Sequence, residues 1–249
     1  MKLDLPLMIA LPYAGGSAYA YKAFEPYIGE SVRMICPELP GRASRLLEPF
    51  LLSANAMTED LFDHCHSLFQ KPYILFGHSM GALLGYLLAK KALQNGYPPP
   101  RHLLLTGRGA PSVPPRKAPR YPLPKKEFYA TLKELGGIQD DMLNNTAYMS
   151  FFEPLLRADF QVVETYTHAA STLLPIPITL VTGEDEDILP EEIAAWQEES
   201  QYPIHRFSLP GNHFFLFDHP KEFGNIIHRI INHPFHEREN DVFETQRRY

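Results

Sequence analysis

Long apolar runs are missing from this chain of 249 residues, in which no window of 18 residues is uninterruptedly apolar. Because a membrane-spanning helix needs about 20 predominantly apolar residues, we expect no membrane partner. The first six residues include Asp4 and Pro6, where a secretory signal peptide needs a long apolar run. The sequence therefore predicts a cytoplasmic protein.

Cysteine is scarce, and basic residues do not outnumber acidic ones. The two cysteines, Cys36 and Cys65, are too few for a disulfide framework, which fits a reducing compartment. A net charge of −6 argues against nucleic acid as a partner. With 45% hydrophobic and 21% charged residues, the composition is that of a globular chain and excludes a disordered or fibrous one.

Short apolar runs that end at glycine or proline alternate with segments of helical spacing. Such runs are typical of strands buried on both faces, and their alternation with helices favours a parallel sheet flanked by helices. One helix is expected over 191–199 and a last one over about 221–231. The predicted strands span residues 7–11, 32–36, 73–76, 102–106, 178–181 and 205–209.

Proline interrupts this alternation after Gly107. Between residues 108 and 125 prolines recur too often for a helix interior or a central strand, and helical spacing then returns over 126–170. We interpret residues from about 108 to 170 as an insertion that forms a mobile lid in a single α/β domain covering 1–249. The polar tail, 233–249, is expected to be loosely ordered.

The sequence Gly-His-Ser-Met-Gly at residues 77–81 fits the Gly-x-Ser-x-Gly pattern of a nucleophile elbow. A serine displayed on a sharp strand-to-helix turn needs small neighbours two positions away on either side, which glycine provides. A buried strand is predicted before the motif and an amphipathic helix after it, as the elbow requires. Ser79 is therefore the candidate nucleophile of an α/β-hydrolase fold.

A nucleophilic serine needs a base, and in the elbow fold the chain order is serine, acid, histidine. The chain has 11 histidines. Among them, His213 lies in a loop directly after the last predicted strand, where the fold places the base. We predict that His213 takes the proton of Ser79.

The carboxylate that orients this histidine should follow the strand at 178–181. Four consecutive acidic residues, 184–187, leave the choice open. We favour Asp185, because Ile188 three positions on can anchor its loop to the core, and keep Asp187 as the alternative. A metal site is not predicted here, since the spaced ligands of a glycine-centred loop are missing.

Backbone N–H groups must stabilise the oxyanion that forms when a serine attacks a carbonyl. Residues 12–17 follow the first predicted strand, and their paired glycines let the backbone approach a substrate closely. The lysine of a phosphate-binding loop is missing from this segment. We expect the N–H groups of Ala14 and Met80 to form the oxyanion hole.

Five motifs occur in order along residues 7–232. They are Pro12-x-Ala14-Gly15-Gly16-Ser17, Pro40-Gly41-Arg42, the elbow at 77–81, Leu156-Arg157-Ala158-Asp159 with Glu164 and Tyr166, and Gly211-x-His213-Phe214. Together they resemble the stand-alone type II thioesterases of non-ribosomal peptide and polyketide synthesis. The resemblance implies hydrolysis of acyl, aminoacyl or peptidyl thioesters from the phosphopantetheine arm of carrier proteins, in an editing role that clears blocked carriers.

By position, the resemblance assigns the nucleophile to Ser79, the base to His213 and the oxyanion donors to Ala14 and Met80. It implies no metal and no cofactor. The expected partners are acyl or peptidyl carrier protein domains, and we expect a monomer.

The resemblance leaves the acid between two residues. Counting back without gaps from Trp196 and His213 favours Asp185. The family usually has one more residue between the glycine, here Gly183, and the acid, which keeps Asp187 open.

Two other functions stay open. A small-ester or lipid hydrolase would use the same residues on an oxygen ester, and a catalytically silent module would only dock a synthetase. Five basic residues between 116 and 126 could steer an acidic carrier, although charge runs are usually solvated surface.

Overall fold

Six parallel strands form the sheet of this computed structural model, which describes residues 5–169 and 172–232. The strand order is β2-β1-β3-β4-β5-β6. The predicted strands all form, and the predicted fold class, a parallel sheet flanked by helices, is confirmed. The strands are β1 (Leu7–Leu11), β2 (Arg33–Ile35), β3 (Tyr73–His78), β4 (His102–Thr106), β5 (Ile178–Gly183) and β6 (His205–Leu209).

Helices cover both faces of the sheet. The helix predicted over 191–199 is a short α-helix that continues as a 3₁₀ turn, and the last helix begins at Pro220. The α-helices are α1 (Glu25–Ile28), α2 (Ala54–Cys65), α3 (Met80–Gln94), α4 (Lys125–Leu135), α5 (Asp140–Asn144), α6 (Thr146–Glu164), α7 (Pro190–Ala194), α8 (Phe215–Asp218) and α9 (Pro220–Asn232). None of these helices is long and apolar enough to cross a bilayer.

Strands β1, β3 and β4 are buried along their whole length because each has a helical layer on both sides. Successive side chains of a strand point to opposite faces. In β1, Ile9 and Leu11 pack in the cluster that contains α2 and α3, whereas Met8 and Ala10 pack in the cluster that contains α8 and α9. The sheet therefore carries the main core on its two faces.

The predicted lid lies between the ends of β4 and β5 and contains α4, α5 and α6. The Asn145 side chain caps α6 by accepting a hydrogen bond from the N–H of Tyr148 at 3.0 Å. The lid helices share a small hydrophobic cluster separate from the two core clusters. Its buried members are Phe128, Leu132, Leu143, Met149, Leu156 and Phe160.

Helix α6 connects this cluster to the rest of the domain. Val162 is fully buried within the core cluster of α2 and α3, and Asp159 is fully buried as well. The C-terminal half of α6 is thus fixed to the main core, unlike α4. The tail predicted to be loosely ordered, 233–249, lies outside the described residues, as does residue 170 at the end of the predicted insertion.

The lid is expected to open more readily than the helix behind the elbow. Helix α4 buries 2 of its 11 residues, whereas α3 buries 11 of its 15, and local opening is easiest where few apolar contacts must break. Hydrogen exchange followed by mass spectrometry should show faster exchange over 125–144 than over 80–94. Equal protection of the two segments would contradict a mobile lid.

Candidate active site

Ser79 lies on the turn between β3 and α3 with φ 55° and ψ −112°. This left-handed backbone is strained for a residue that has a Cβ. Two glycines make the turn possible: a Cβ at Gly77 would overlap the carbonyl of Gly81, and a Cβ at Gly81 would overlap the carbonyl of Leu11. The N–H of Ser79 donates to the carbonyl of Thr106 at 2.8 Å, which fastens the turn to β4.

His213 reaches Ser79 from the loop that follows β6. Its Nε2 lies 2.9 Å from Ser79 Oγ, so the hydroxyl can donate to the ring. Close backbone packing positions this loop, because a Cβ at Gly183 would lie 2.5 Å from the carbonyl oxygen of Gly211 and 2.7 Å from that of Asn212. The structure therefore brings together the serine and the histidine that the sequence singled out.

Glu186 is the carboxylate that contacts this histidine. The Nδ1–H of His213 donates to Glu186 Oε1 at 2.6 Å, and the N–H of Gly183 donates to Glu186 Oε2 at 2.7 Å. The Glu186 side chain is only 2% exposed. Both carboxylate oxygens are thus bonded, and the carboxylate is held in one orientation behind the imidazole.

The prediction that Asp185 holds this place is wrong, and the reason is a tight turn after β5. The N–H of Glu186 donates to the carbonyl of Gly183 at 3.3 Å, which closes a four-residue turn. Asp185 lies at the outer corner of that turn and is exposed, with its N–H donating to Gly211. The residue after the corner re-enters the fold, so Glu186 faces His213.

Asp187, the alternative, is bound on the other side of the loop. Its carboxylate accepts from Lys117 at 2.6 Å and from Arg116 at 2.8 Å. These two cations lower the pKa of Asp187 to about 2. Asp187 therefore ties the loop to the start of the lid and does not serve His213.

A signal for Glu186 was present in the sequence. The resemblance carries a spacing of one more residue between Gly183 and the acid than Asp185 provides, and that spacing points to residue 186. This signal was overlooked because an aspartate was expected at the position. Glutamate has one more methylene than aspartate, and it reaches the imidazole from this position.

His78, the residue before Ser79 in the elbow, also lies in the site. It is fully buried, its ring lies 4.8 Å from the ring of His213, and its Nδ1 lies 2.9 Å from the hydroxyl of Thr106. Burial and the neighbouring His213 hold the pKa of His78 well below its usual range. The neutral ring of His78 therefore packs beside the imidazole of His213. Gly107 leaves the space for it, because a Cβ there would overlap the His78 ring.

The two backbone groups expected to bind an oxyanion lie on neighbouring segments. Met80 is the first residue of α3, whose N-terminal N–H groups and dipole favour negative charge. Ala14 lies in the loop of residues 12–17, hereafter the glycine loop. Gly81 contacts the carbonyls of Leu11 and Pro12, so this loop starts beside the N-terminus of α3. Among the described residues, no group of three or more His, Cys, Asp or Glu side chains could hold a metal ion.

Comparisons with known proteins cover nearly the whole chain. The sequence profile of the Thioesterase domain family matches residues 6–231. The gramicidin S biosynthesis protein GrsT of Aneurinibacillus migulanus is 32% identical over 85% of this chain and 83% of its own length. The matched range includes every residue of the site described above.

Solved structures agree with these sequence matches. The RedJ thioesterase from the prodiginine biosynthetic pathway of Streptomyces coelicolor is 32% identical and superposes with a TM-score of 0.81, covering 89% of this chain and 86% of RedJ. The type II thioesterase BorB from the borrelidin biosynthetic cluster is 30% identical, with a TM-score of 0.84, and covers 92% of this chain and 93% of BorB.

Replacing Glu186 with glutamine should impair the site far more than the same change at its neighbour. Glu186→Gln keeps the size of the side chain but removes the charge that holds the Nδ1–H tautomer of His213. In a serine protease the equivalent change lowers kcat by about 10⁴-fold, and we expect a loss of about 10²- to 10⁴-fold here. Steady-state hydrolysis of a soluble ester or thioester measures it.

The matched control is Asp185→Asn, an exposed carboxamide substitution one residue away. It should stay within about twofold of the unmodified protein, since surface changes away from special contacts have small effects. A large loss in Asp185→Asn together with a mild one in Glu186→Gln would contradict the assignment.

Proposed function

This chain belongs to the thioesterase family, and from that premise we propose that it removes acyl, aminoacyl or peptidyl groups from the phosphopantetheine arm of carrier proteins. The similar proteins GrsT, RedJ and BorB are named for biosynthetic pathways or clusters, and BorB is named a type II thioesterase. The role proposed is editing in non-ribosomal peptide or polyketide biosynthesis. The observation that carries the proposal is the hydrogen-bonded series of Ser79, His213 and Glu186 at a nucleophile elbow.

The first step of the proposed reaction forms an acyl-serine. Ser79 Oγ attacks the thioester carbonyl carbon while His213 Nε2, 2.9 Å away, accepts the hydroxyl proton. The carbonyl oxygen gains the negative charge, and the N–H groups of Ala14 and Met80 stabilise it. When the tetrahedral intermediate collapses, the C–S bond breaks and the pantetheine sulfur leaves with the proton held by His213.

The second step releases the acyl group. His213 takes a proton from a water molecule, whose oxygen attacks the acyl-serine carbonyl, and the same N–H groups stabilise the second oxyanion. The C–Oγ bond then breaks and His213 returns the proton to Ser79. Glu186 keeps its charge throughout and stabilises the imidazolium that forms in each step.

Three of the five basic residues between 116 and 126 are paired within the protein. Arg116 and Lys117 pair with Asp187, and Arg120 pairs with Glu164 at 2.6 Å. These three cations do not form a free positive patch, so they lend no support to carrier docking at this edge.

In the proposal the enzyme acts in the cytoplasm as a monomer, with carrier protein domains as its partners.

Removal of the Ser79 hydroxyl should abolish turnover and leave the fold intact. A carrier protein loaded with an acyl group would be incubated with the enzyme, and mass spectrometry would follow the loss of the acyl mass from the pantetheine arm. The unmodified enzyme should clear the carrier, whereas Ser79→Ala should lose about 10³-fold or more of the activity, as for other nucleophile deletions.

An oxygen ester of the same acyl group serves as the comparison substrate. Faster turnover of this ester than of the carrier-bound thioester would favour a small-ester or lipid hydrolase instead. Full activity in Ser79→Ala would contradict the mechanism itself.

A further inference from the structure

A buried ion pair joins the lid to the segment that follows β2. Arg42 and Asp159 form two parallel hydrogen bonds, from Nη1 to Oδ2 at 2.8 Å and from Nη2 to Oδ1 at 2.7 Å. The side chains are 6% and 1% exposed, respectively. This fork geometry fixes both position and orientation of the two groups. Asp159 lies on α6, so the pair connects a lid helix to the body of the domain.

Both members of the pair also bind the glycine loop. The N–H of Gly15 donates to Asp159 Oδ2 at 2.8 Å, and Arg42 Nη1 donates to the carbonyl of Gly16 at 3.0 Å. The ion pair thus binds two successive residues of the loop, Gly15 through its N–H and Gly16 through its carbonyl. Ala14, the proposed oxyanion donor, immediately precedes them.

The glycine loop itself is a four-residue turn. The N–H of Gly16 donates to the carbonyl of Tyr13 at 2.8 Å, and Gly15, the third residue, has φ +81°. These are the features of a type II turn, which needs glycine at that position. The Tyr13 carbonyl and the Ala14 N–H belong to one peptide group and point in opposite directions. Because the carbonyl is turned into the loop, the Ala14 N–H is directed outward.

The orientation of the next peptide group distinguishes two turn types. A type I turn would need the peptide between Ala14 and Gly15 to flip, and glycine permits both forms. In the observed form the Gly15 N–H meets the carboxylate of Asp159. After a flip the Ala14 carbonyl would face that negative charge instead, so the ion pair selects the observed turn. The Ala14 N–H belongs to the preceding peptide group, and the pair holds it by fixing the position of the loop.

Side-chain packing adds to this selection. A Cβ at Gly15 would lie 2.7 Å from Leu156 Cδ2 and 3.0 Å from Phe152 Cζ, both on α6. The loop and the helix therefore fit only in close contact. This contact holds the loop against α6.

We propose that Arg42 and Asp159 are positioning residues that hold the Ala14 N–H ready for the oxyanion. The inference rests on the proposed function. Stability alone does not require the pair, since well-packed apolar residues in place of a buried ion pair are often as stable or more so. The charges matter because they bind one N–H and one carbonyl that apolar side chains cannot hold.

The main test is the double variant Arg42→Met with Asp159→Leu, which leaves no unpaired buried charge. Removal of one oxyanion donor costs about 10²- to 10³-fold in kcat, so disorder of the donor should cost about 10- to 100-fold. KM for a soluble N-acetylcysteamine thioester should change less than about twofold, because the ground state has no oxyanion to stabilise. Melting temperature monitors the fold.

A transition-state analogue separates positioning from a structural role. A trifluoromethyl ketone analogue of the same thioester adds Ser79 Oγ to its carbonyl and leaves an oxyanion in the hole. Its affinity should fall by the same factor as kcat/KM, whereas the affinity of the matching thioether, which has no carbonyl, should not change.

Two single variants complete the design. Arg42→Lys keeps the charge and therefore the pairing, but a lysine cannot supply the fork to Asp159 and the bond to Gly16 together. We expect it to fold and to lose about tenfold in kcat, so it decides the question if the double variant unfolds. The matched control is Arg157→Lys on α6, the helix that carries Asp159. Arg157 binds Glu153 and the carbonyls of residues 121 and 123 within the lid. This variant should keep both kcat and ketone affinity.

The outcomes distinguish this inference from the function on which it rests. Absence of thioester hydrolysis in the unmodified enzyme would remove the proposed function. An active enzyme whose folded double variant, or Arg42→Lys, keeps the full kcat and ketone affinity would overturn the positioning role alone.

Discussion

Backbone-to-backbone contact at the elbow is the constraint on which the rest of the site depends. Gly77 packs against Gly81, and Gly81 packs against the end of β1, so closely that neither position has room for a Cβ. Ser79 is thereby held in a strained conformation that costs about 1–3 kcal/mol. Burial of α3 offsets this cost, because each leucine that is fully buried contributes about 1.5–3 kcal/mol and the helix buries several completely.

The parallel sheet brings every other part of the site to the same edge. The carboxyl ends of β1, β3, β5 and β6 lead to the glycine loop, Ser79, Glu186 and His213, respectively. Local turns then decide which side chain of each loop faces inward. After β5 a four-residue turn directs Glu186 to His213 and leaves its acidic neighbours outside, where the lid cations neutralise one of them. Within the described residues, ion pairs at Asp187 and at Asp159 thus attach the predicted lid to the loops of the site.

The sheet, the elbow and the histidine loop were predicted from patterns that are local in the sequence. The spacing of apolar residues specifies the sheet, the spacing of the glycines specifies the elbow, and the chain order of serine, acid and histidine specifies the loop. The strands at 7–11 and 102–106 are found as expected. Glu186 was missed because four adjacent carboxylates look alike until the turn at Gly183 is known. The pairing of Arg42 with Asp159 could not be derived either, since 117 positions separate them and only the folded lid brings them together. The motifs that contain Arg42 and Asp159 were noticed only because they contribute to the family resemblance, which assigned no physical role to either residue.

The central claim is that the acyl group passes through Ser79. Rapid quenching of a reaction with an acyl-loaded carrier protein, followed by intact-mass and peptide mass spectrometry, tests it most directly. The account predicts a transient mass increase equal to the acyl group, located on the peptide that contains Ser79. Product formation without any acyl-enzyme, or an acyl group on another residue, would contradict it.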